Sequence, residues 1–222
     1  MSLPSYFDHL GLLAVGLVRT IEVGAGAILL SVVLAFLAGL ARLSPWWPVR
    51  WGARIYVEVF RGTSLVVQLF WLYFVLPRFG LQLPPILAGI VALGLNGGAY
   101  GSEIVRGTLQ SFPRGQWEAA AALNLRPIAT LLDVVLPQAI RTMLPPFGNL
   151  SIEVLKGTAL VSLVSVTDLT YAGYQIYSRT YRPAEIFSLT MLMYLGLALC
   201  LTLLFRGLEH WVSRSVDRRV LR

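Results

Sequence analysis

Five long apolar runs dominate this chain, and a run of about 20 such residues leaves few foldable options. In hydrocarbon each backbone N–H and C=O must be satisfied within its own segment, so each run is expected to be an α-helix. The first extends from about Leu12 to Ala41, uncharged from Val23 onward, with Arg19 and Glu22 near its outer end. The second, about Ile55 to Leu76, carries Glu58 and Arg61 in its first turns, three residues apart and so placed to pair. The third, about Leu83 to Val105, contains Gly94-x-x-x-Gly98 and Gly97-x-x-x-Gly101, spacings that let helices approach closely in lipid. The fourth, about Pro146 to Val166, contains Glu153 and Lys156, again three apart, and the fifth, Ile186 to Phe205, is uninterrupted. The pattern predicts an all-α, polytopic membrane protein with five transmembrane helices. No internal repeat or soluble linker divides residues 1–222, which read as a single domain.

The charges are few and placed rather than clustered. Only 13% of residues are charged and the formal charge is +7, at a mean hydropathy of +0.70. Nucleic-acid binding would need the basic residues gathered into a stripe; here they are scattered between apolar runs, so no nucleic-acid partner is expected. With the amino terminus outside, inner segments hold Arg42, Arg50, Arg54, Arg106, Arg114, Arg126, Arg141 and the arginines from Arg206 to Arg222. Outer segments hold only Arg78, Arg179 and Arg182. This asymmetry predicts amino terminus out and carboxyl terminus in. Asp8, with no basic region before the first run, indicates a retained span rather than a cleaved signal peptide. Cys200 is the single cysteine and lies in an apolar run, while His9 and His210 stand far apart. Neither disulfide, metal nor catalytic-triad chemistry is expected.

The longest interruption runs from Gly115 to Pro137 and, under that topology, lies in the cytoplasm. Glu118 followed by four alanines is a strong helix former, and Glu118 in a first turn would complement the positive helix end. Asn124 tolerates a left-handed stop. Arg126-Pro127 starts a second short helix, and Leu136-Pro137 is expected to end it.

These residues resemble the EAA loop of bacterial ABC-importer permeases. The polar amino-acid uptake branch is indicated by Phe60-Arg61-Gly62-Thr63, Gly101-Ser102-Glu103-Ile104-Val105-Arg106-Gly107, Gly115-Gln116-Trp117-Glu118-Ala119-Ala120, Leu136-Pro137-Gln138-Ala139 and Leu144-Pro145-Pro146-Phe147-Gly148-Asn149. The resemblance covers nearly the whole chain and implies the type I ABC importer permease fold in the bacterial inner membrane. It implies a coupling loop at about 107–145, in which Gly115, Gln116, Trp117, Glu118, Ala119, Ala120, Asn124, Leu136 and Pro137 engage an ATPase, with Glu118, Ala119 and Ala120 entering its groove. It also implies a second permease chain, identical or homologous, two ATPase subunits and an extracytoplasmic solute-binding protein. The family's usual glycine at the turn is here Asn124, its acidic residue after Gly-Asn is Leu150, and its Lys-Asp-Thr is Lys156-Gly157-Thr158. Asn124, Leu150, Glu153 and the run Lys156-Gly157-Thr158-Ala159-Leu160 look most like permeases for the compatible solutes ectoine and hydroxyectoine.

Charges inside spans are costly and usually functional. Glu153 and Lys156, with Thr158, are candidates for the solute pathway or for a self-satisfied pair. Asn96 and Tyr100 either line a polar cavity or act as packing glue. Glu58, Arg61, Glu103 and Arg106 suit a structural polar role near the inner interface. The tyrosines at 171, 174, 177 and 181 are either an interfacial belt or a surface for a binding protein. No phosphate-cradling GxxxxGK[ST] loop is present, so the chain is expected to bind no cofactor and to draw on ATP and magnesium held by its partner. A secondary transporter or channel not driven by ATP is the alternative, but inverted repeats are lacking.

Overall fold

The computed structural model describes the backbone of residues 3–220 and the side chains of residues 10–212. Asp8, His9, Arg214, Arg218, Arg219 and Arg222, used above for topology and chemistry, lie outside those described side chains. Among the described residues the α-helices are α1 (Leu3–Leu43), α2 (Trp47–Gly62), α3 (Leu65–Phe70), α4 (Pro85–Gln110), α5 (Arg114–Ala122), α6 (Pro127–Ala129), α7 (Leu136–Gly157), α8 (Leu169–Thr180) and α9 (Pro183–Val220), with π- or 3₁₀-helical segments between α3 and α4, α6 and α7, and α7 and α8.

The pairing of α1 with α4 is central, and glycine makes it possible. A Cβ on Gly94 would stand 2.5 Å from Leu30 Cδ2, and one on Gly98 would stand 2.5 Å from Leu34 Cβ. The two backbones therefore approach as the small-residue spacing predicts. Three apolar layers follow one another along α1: Leu13 with Leu169 and Ile176, then Val23 and Ala27 with Leu93 and Val161, then Ala35 with Val105, Met143 and Phe147. By contrast α9 lies on the outside, its apolar window only 6% buried.

Segments Leu10–Leu43, Pro127–Val164 and Pro183–Val212 are long and apolar enough to cross a membrane. The second expected span is not one straight helix. It breaks at Thr63-Ser64, where Trp47–Gly62 and Leu65–Phe79 meet at a 106° bend. The freed carbonyls are met by side chains, as apolar surroundings demand. Gln68 Nε2 donates to Phe60 O (2.9 Å) and Thr63 O (3.2 Å), and Asn96 Nδ2 donates to Phe60 O (2.9 Å). The fourth expected span starts well before Pro146, because Leu136-Pro137 does not end a helix. The π-helical turn at Thr130–Val135 precedes it, with the Leu136 N–H donating to Leu131 O. That wider turn gives the proline ring room where a regular α-turn would clash. The same device recurs at Trp71–Val75, just before Leu76-Pro77.

Candidate functional site

The bend predicted at Asn124 exists, but the second helix is not short: Pro127 opens a run that continues into α7. Asn124 sits at φ 56°. Its N–H donates to Ala121 O (3.0 Å) and the Leu125 N–H donates to Ala120 O (3.1 Å). These are the paired bonds of a Schellman motif, so orphan carbonyls of α5 are satisfied. Pro127, at the first position of α6, then restarts the helix.

The faces of α5 differ from the sequence expectation in two respects. Glu118 is exposed but lies in the fifth position, outside the first turn, so the dipole argument for it fails. Ala120, expected to enter a partner's groove, is only 4% exposed and faces the chain's own core. Trp117, three residues earlier, packs with the layer of Val135 and Met143. The outward surface is instead Gly115, Glu118, Ala119, Ala121, Ala122 and Leu123, the last 75% exposed. What holds α5 in place is a reciprocal amide pair. Gln116 Nε2 donates to Gln138 Oε1 (3.2 Å) and Gln138 Nε2 to Gln116 Oε1 (3.0 Å). Gln138, one residue after Pro137, lies on α7, so the tie joins α5 to a long helix.

A second polar group lies where α1, α2 and α4 meet. Glu103 accepts from Arg42 Nη1 (2.7 Å), Arg61 Nη1 (2.9 Å) and Arg106 Nη2 (2.8 Å). Arg61, expected to pair with Glu58, is drawn to Glu103 instead, and its guanidinium also lies 5.2 Å from the centre of the Tyr100 ring. Glu58 is exposed and makes no ion pair among the described residues. The reason is geometric: spacing on one helix permits a pair, but a carboxylate shared by two other arginines offers Arg61 a denser set of charge-assisted bonds.

Glu153 and Lys156 are likewise not paired with each other. Both are exposed on α7, in a stripe with Thr142 and Asn149. Thr158 is fully buried and donates to Leu155 O (2.7 Å). Asn96 is engaged at the break described above, where it also donates to Gln68 Oε1 (3.2 Å). Of the five residues considered for a pathway, Glu153, Lys156 and Tyr100 are exposed, Asn96 is half-buried and Thr158 is buried.

Asp168 was not singled out from the sequence. It is buried, caps α8 through the Thr170 and Tyr171 N–H groups (3.1 and 3.0 Å), and accepts from Tyr194 OH (3.1 Å). Burial raises its pKa, the cap and hydroxyl hydrogen bonds partly opposing that rise.

Long apolar helices around a glycine-packed pair, with α5 tied to the head of α7 by the Gln116–Gln138 amides, describe a polytopic membrane protein. Residues 28–218 match the family of binding-protein-dependent transport system inner membrane components. The chain belongs to that family: it is an inner-membrane permease subunit of an ABC importer, a class that works with a partner permease, ATPase subunits and a solute-binding protein. It is 43% identical over 215 residues to the probable amino-acid ABC transporter permease protein y4tF of Sinorhizobium fredii, covering 94% of this chain and 90% of that one. It is 39% identical over 182 residues to the glutamine transport system permease GlnP of Escherichia coli, covering 81% and 83%. A solved amino acid ABC transporter with histidines superposes with a TM-score of 0.85 at 34% identity, covering 95% of this chain and 98% of that chain. The fold is the type I importer permease fold.

Proposed function

We propose that this chain forms half of the translocation pathway for a small polar amino acid or a zwitterionic derivative of one. The names of the related permeases support that substrate class. The departures at Asn124, Leu150 and Lys156-Gly157-Thr158 make ectoine and hydroxyectoine the first solutes to test. In this reading the chain crosses the membrane five times, amino terminus out, pairing with an identical or homologous permease. The α7 stripe and Tyr100 face the pathway, and ATP with magnesium binds on two separate ATPase subunits.

The observation that carries the reading is the outward face of α5. Small side chains at Ala119, Ala121 and Ala122 beside an exposed Leu123 have no covering element within the described chain, and the Gln116–Gln138 tie holds them at the head of the helix that bears Glu153 and Lys156. An apolar knob flanked by small residues is suited to a groove on another protein. The test is binding-protein-stimulated ATP hydrolysis by the assembled importer in proteoliposomes. Ala119→Trp and Leu123→Asp should leave membrane insertion intact and abolish stimulated hydrolysis together with uptake. Ala120→Trp should instead lower the yield of folded permease, since its side chain points inward. Full stimulation and uptake in correctly assembled Ala119→Trp and Leu123→Asp complexes would refute the coupling role.

A further inference from the structure

The outer face of α2 carries more positive charge than the chain itself answers. Arg50, Arg54, Glu58 and Arg61 recur at spacings of four, four and three, forming one exposed or half-exposed stripe. On the opposite face Val57 is buried and Tyr56 donates to Leu95 O (2.7 Å), fixing the helix against α4. Arg50 donates to Ser44 O (3.2 Å), a neutral partner, and Arg54 makes no ion pair among the described residues. At the stripe's end Arg61 shares Glu103 with Arg42 and Arg106, three cations on one carboxylate. Arg42 Nε is buried there with no hydrogen-bond partner among the described residues. Five arginines thus face two glutamates around this helix. Beside the stripe Trp46, Trp47 and Trp51 are exposed, the last two stacked at 5.9 Å between ring centres.

We propose that this stripe is a binding site for the phosphate headgroup of an anionic phospholipid, held between Arg50 and Arg54 with Arg61 adding to the field. Two arginines one turn apart lie about 5–6 Å from each other at Cβ, close enough to share the oxygens of a phosphodiester. Arginine's forked donors suit that group. The indoles of Trp47 and Trp51 favour the boundary between headgroup and acyl chain. A soluble phosphate would satisfy the arginines but gain nothing from those rings, which is why the lipid is the favoured source. Basic pockets between membrane helices recruit such headgroups by the same electrostatics.

The probe is phosphatidylglycerol added to the delipidated, fully assembled importer in neutral detergent, with bound lipid counted by native mass spectrometry. Phosphatidylcholine and inorganic phosphate are the comparisons. Phosphatidylglycerol should bind more tightly than phosphatidylcholine and resist displacement by millimolar phosphate. An Arg50→Gln, Arg54→Gln double variant should weaken one phosphatidylglycerol site by about 30-fold, while lysine at both positions should retain most of the binding. Glu58→Gln removes the acid from the same stripe and should tighten binding, a gain that misfolding cannot imitate and that decides the matter if the double variant does not assemble. Equal binding of both lipids, an unaffected double variant, no tightening in Glu58→Gln, or displacement by free phosphate would each overturn the proposal. Protection of the stripe by the partner permease would show itself as the first of these outcomes.

Discussion

Replacing Glu103 by Gln tests whether the three-arginine junction is a structural tie. The substitution keeps the side chain's size but removes the charge that Arg42, Arg61 and Arg106 share at 2.7, 2.9 and 2.8 Å. The consequences differ with exposure: the Arg42 side chain is 10% exposed, against 39% for Arg61 and 33% for Arg106. Water can take over for the last two, whose pairs are worth roughly 0.2–1 kcal/mol each. Arg42 is left as a nearly buried cation, and breaking such a pair costs about 3–5 kcal/mol. The amide oxygen still accepts one bond, so a net loss of about 3 kcal/mol is expected. For a chain of this size that corresponds to a fall of roughly 6–12 °C in the unfolding midpoint. The assay is thermal unfolding of the purified assembled importer at a fixed scan rate. A second change, Arg42→Met, removes the stranded charge and should restore most of the loss, since an apolar replacement for a complete buried pair is often neutral. An unchanged midpoint in Glu103→Gln, or a further fall in the double variant, would refute the argument.

Asn124→Gly should leave stability and stimulated hydrolysis nearly unchanged, because glycine adopts φ 56° readily, whereas Asn124→Val should cost about 1–2 kcal/mol at that left-handed position; thermal unfolding of the two variants decides. Asp168→Ala should cost about 0.5–2 kcal/mol through loss of the α8 cap, while Asp168→Asn keeps an acceptor for the cap. Because burial raises the Asp168 pKa, its contribution is complete below the ordinary aspartate value and is lost as pH rises through the raised folded value. An unfolding series across that interval should show this decline in the wild type and its absence in Asp168→Asn.

The sequence made the class legible because it rests on features that act locally. Apolar length predicts helices in lipid, the glycine spacings predict a close helix contact though not that its partner is α1, and Asn124 marks the bend by its tolerance of positive φ. What escaped depended on backbone departures or tertiary competition. Counting apolar residues from Ile55 to Leu76 cannot register a break, although Gly62-Thr63-Ser64 and the polar Gln68 supplied its parts. Leu136-Pro137 suggested an end because the rule presumes α-helical geometry on the preceding turn, and a π-turn removes that premise. Trp117 and Ala120 share one face of a nine-residue helix, so the inward aspect of Ala120 was recoverable from their spacing. The pairing of Gln116 with Gln138, 22 residues apart in sequence, left no local pattern to read.

The run Pro127–Val164 alters how the remaining charged residues should be understood. It is a helical run of 38 residues, α-helical over Leu136–Gly157 with a π-turn before it and a 3₁₀ segment, Thr158–Val164, after it, and it begins three residues after the Asn124 bend. The Gln116–Gln138 tie attaches α5 near its start, and Glu153 and Lys156 project from its later turns. Against lipid, each unpaired charge would cost on the order of 2.5–3.5 kcal/mol, and among the described residues neither is covered or paired with the other. A polar stripe of Thr142, Asn149, Glu153 and Lys156 on an otherwise apolar helix therefore calls for a polar or aqueous surface opposite it. The same helical run links the outward face of α5 to the charged stripe. Pro145 and Pro146, which lack the amide donors for two of its turns, are the points at which it can bend between them.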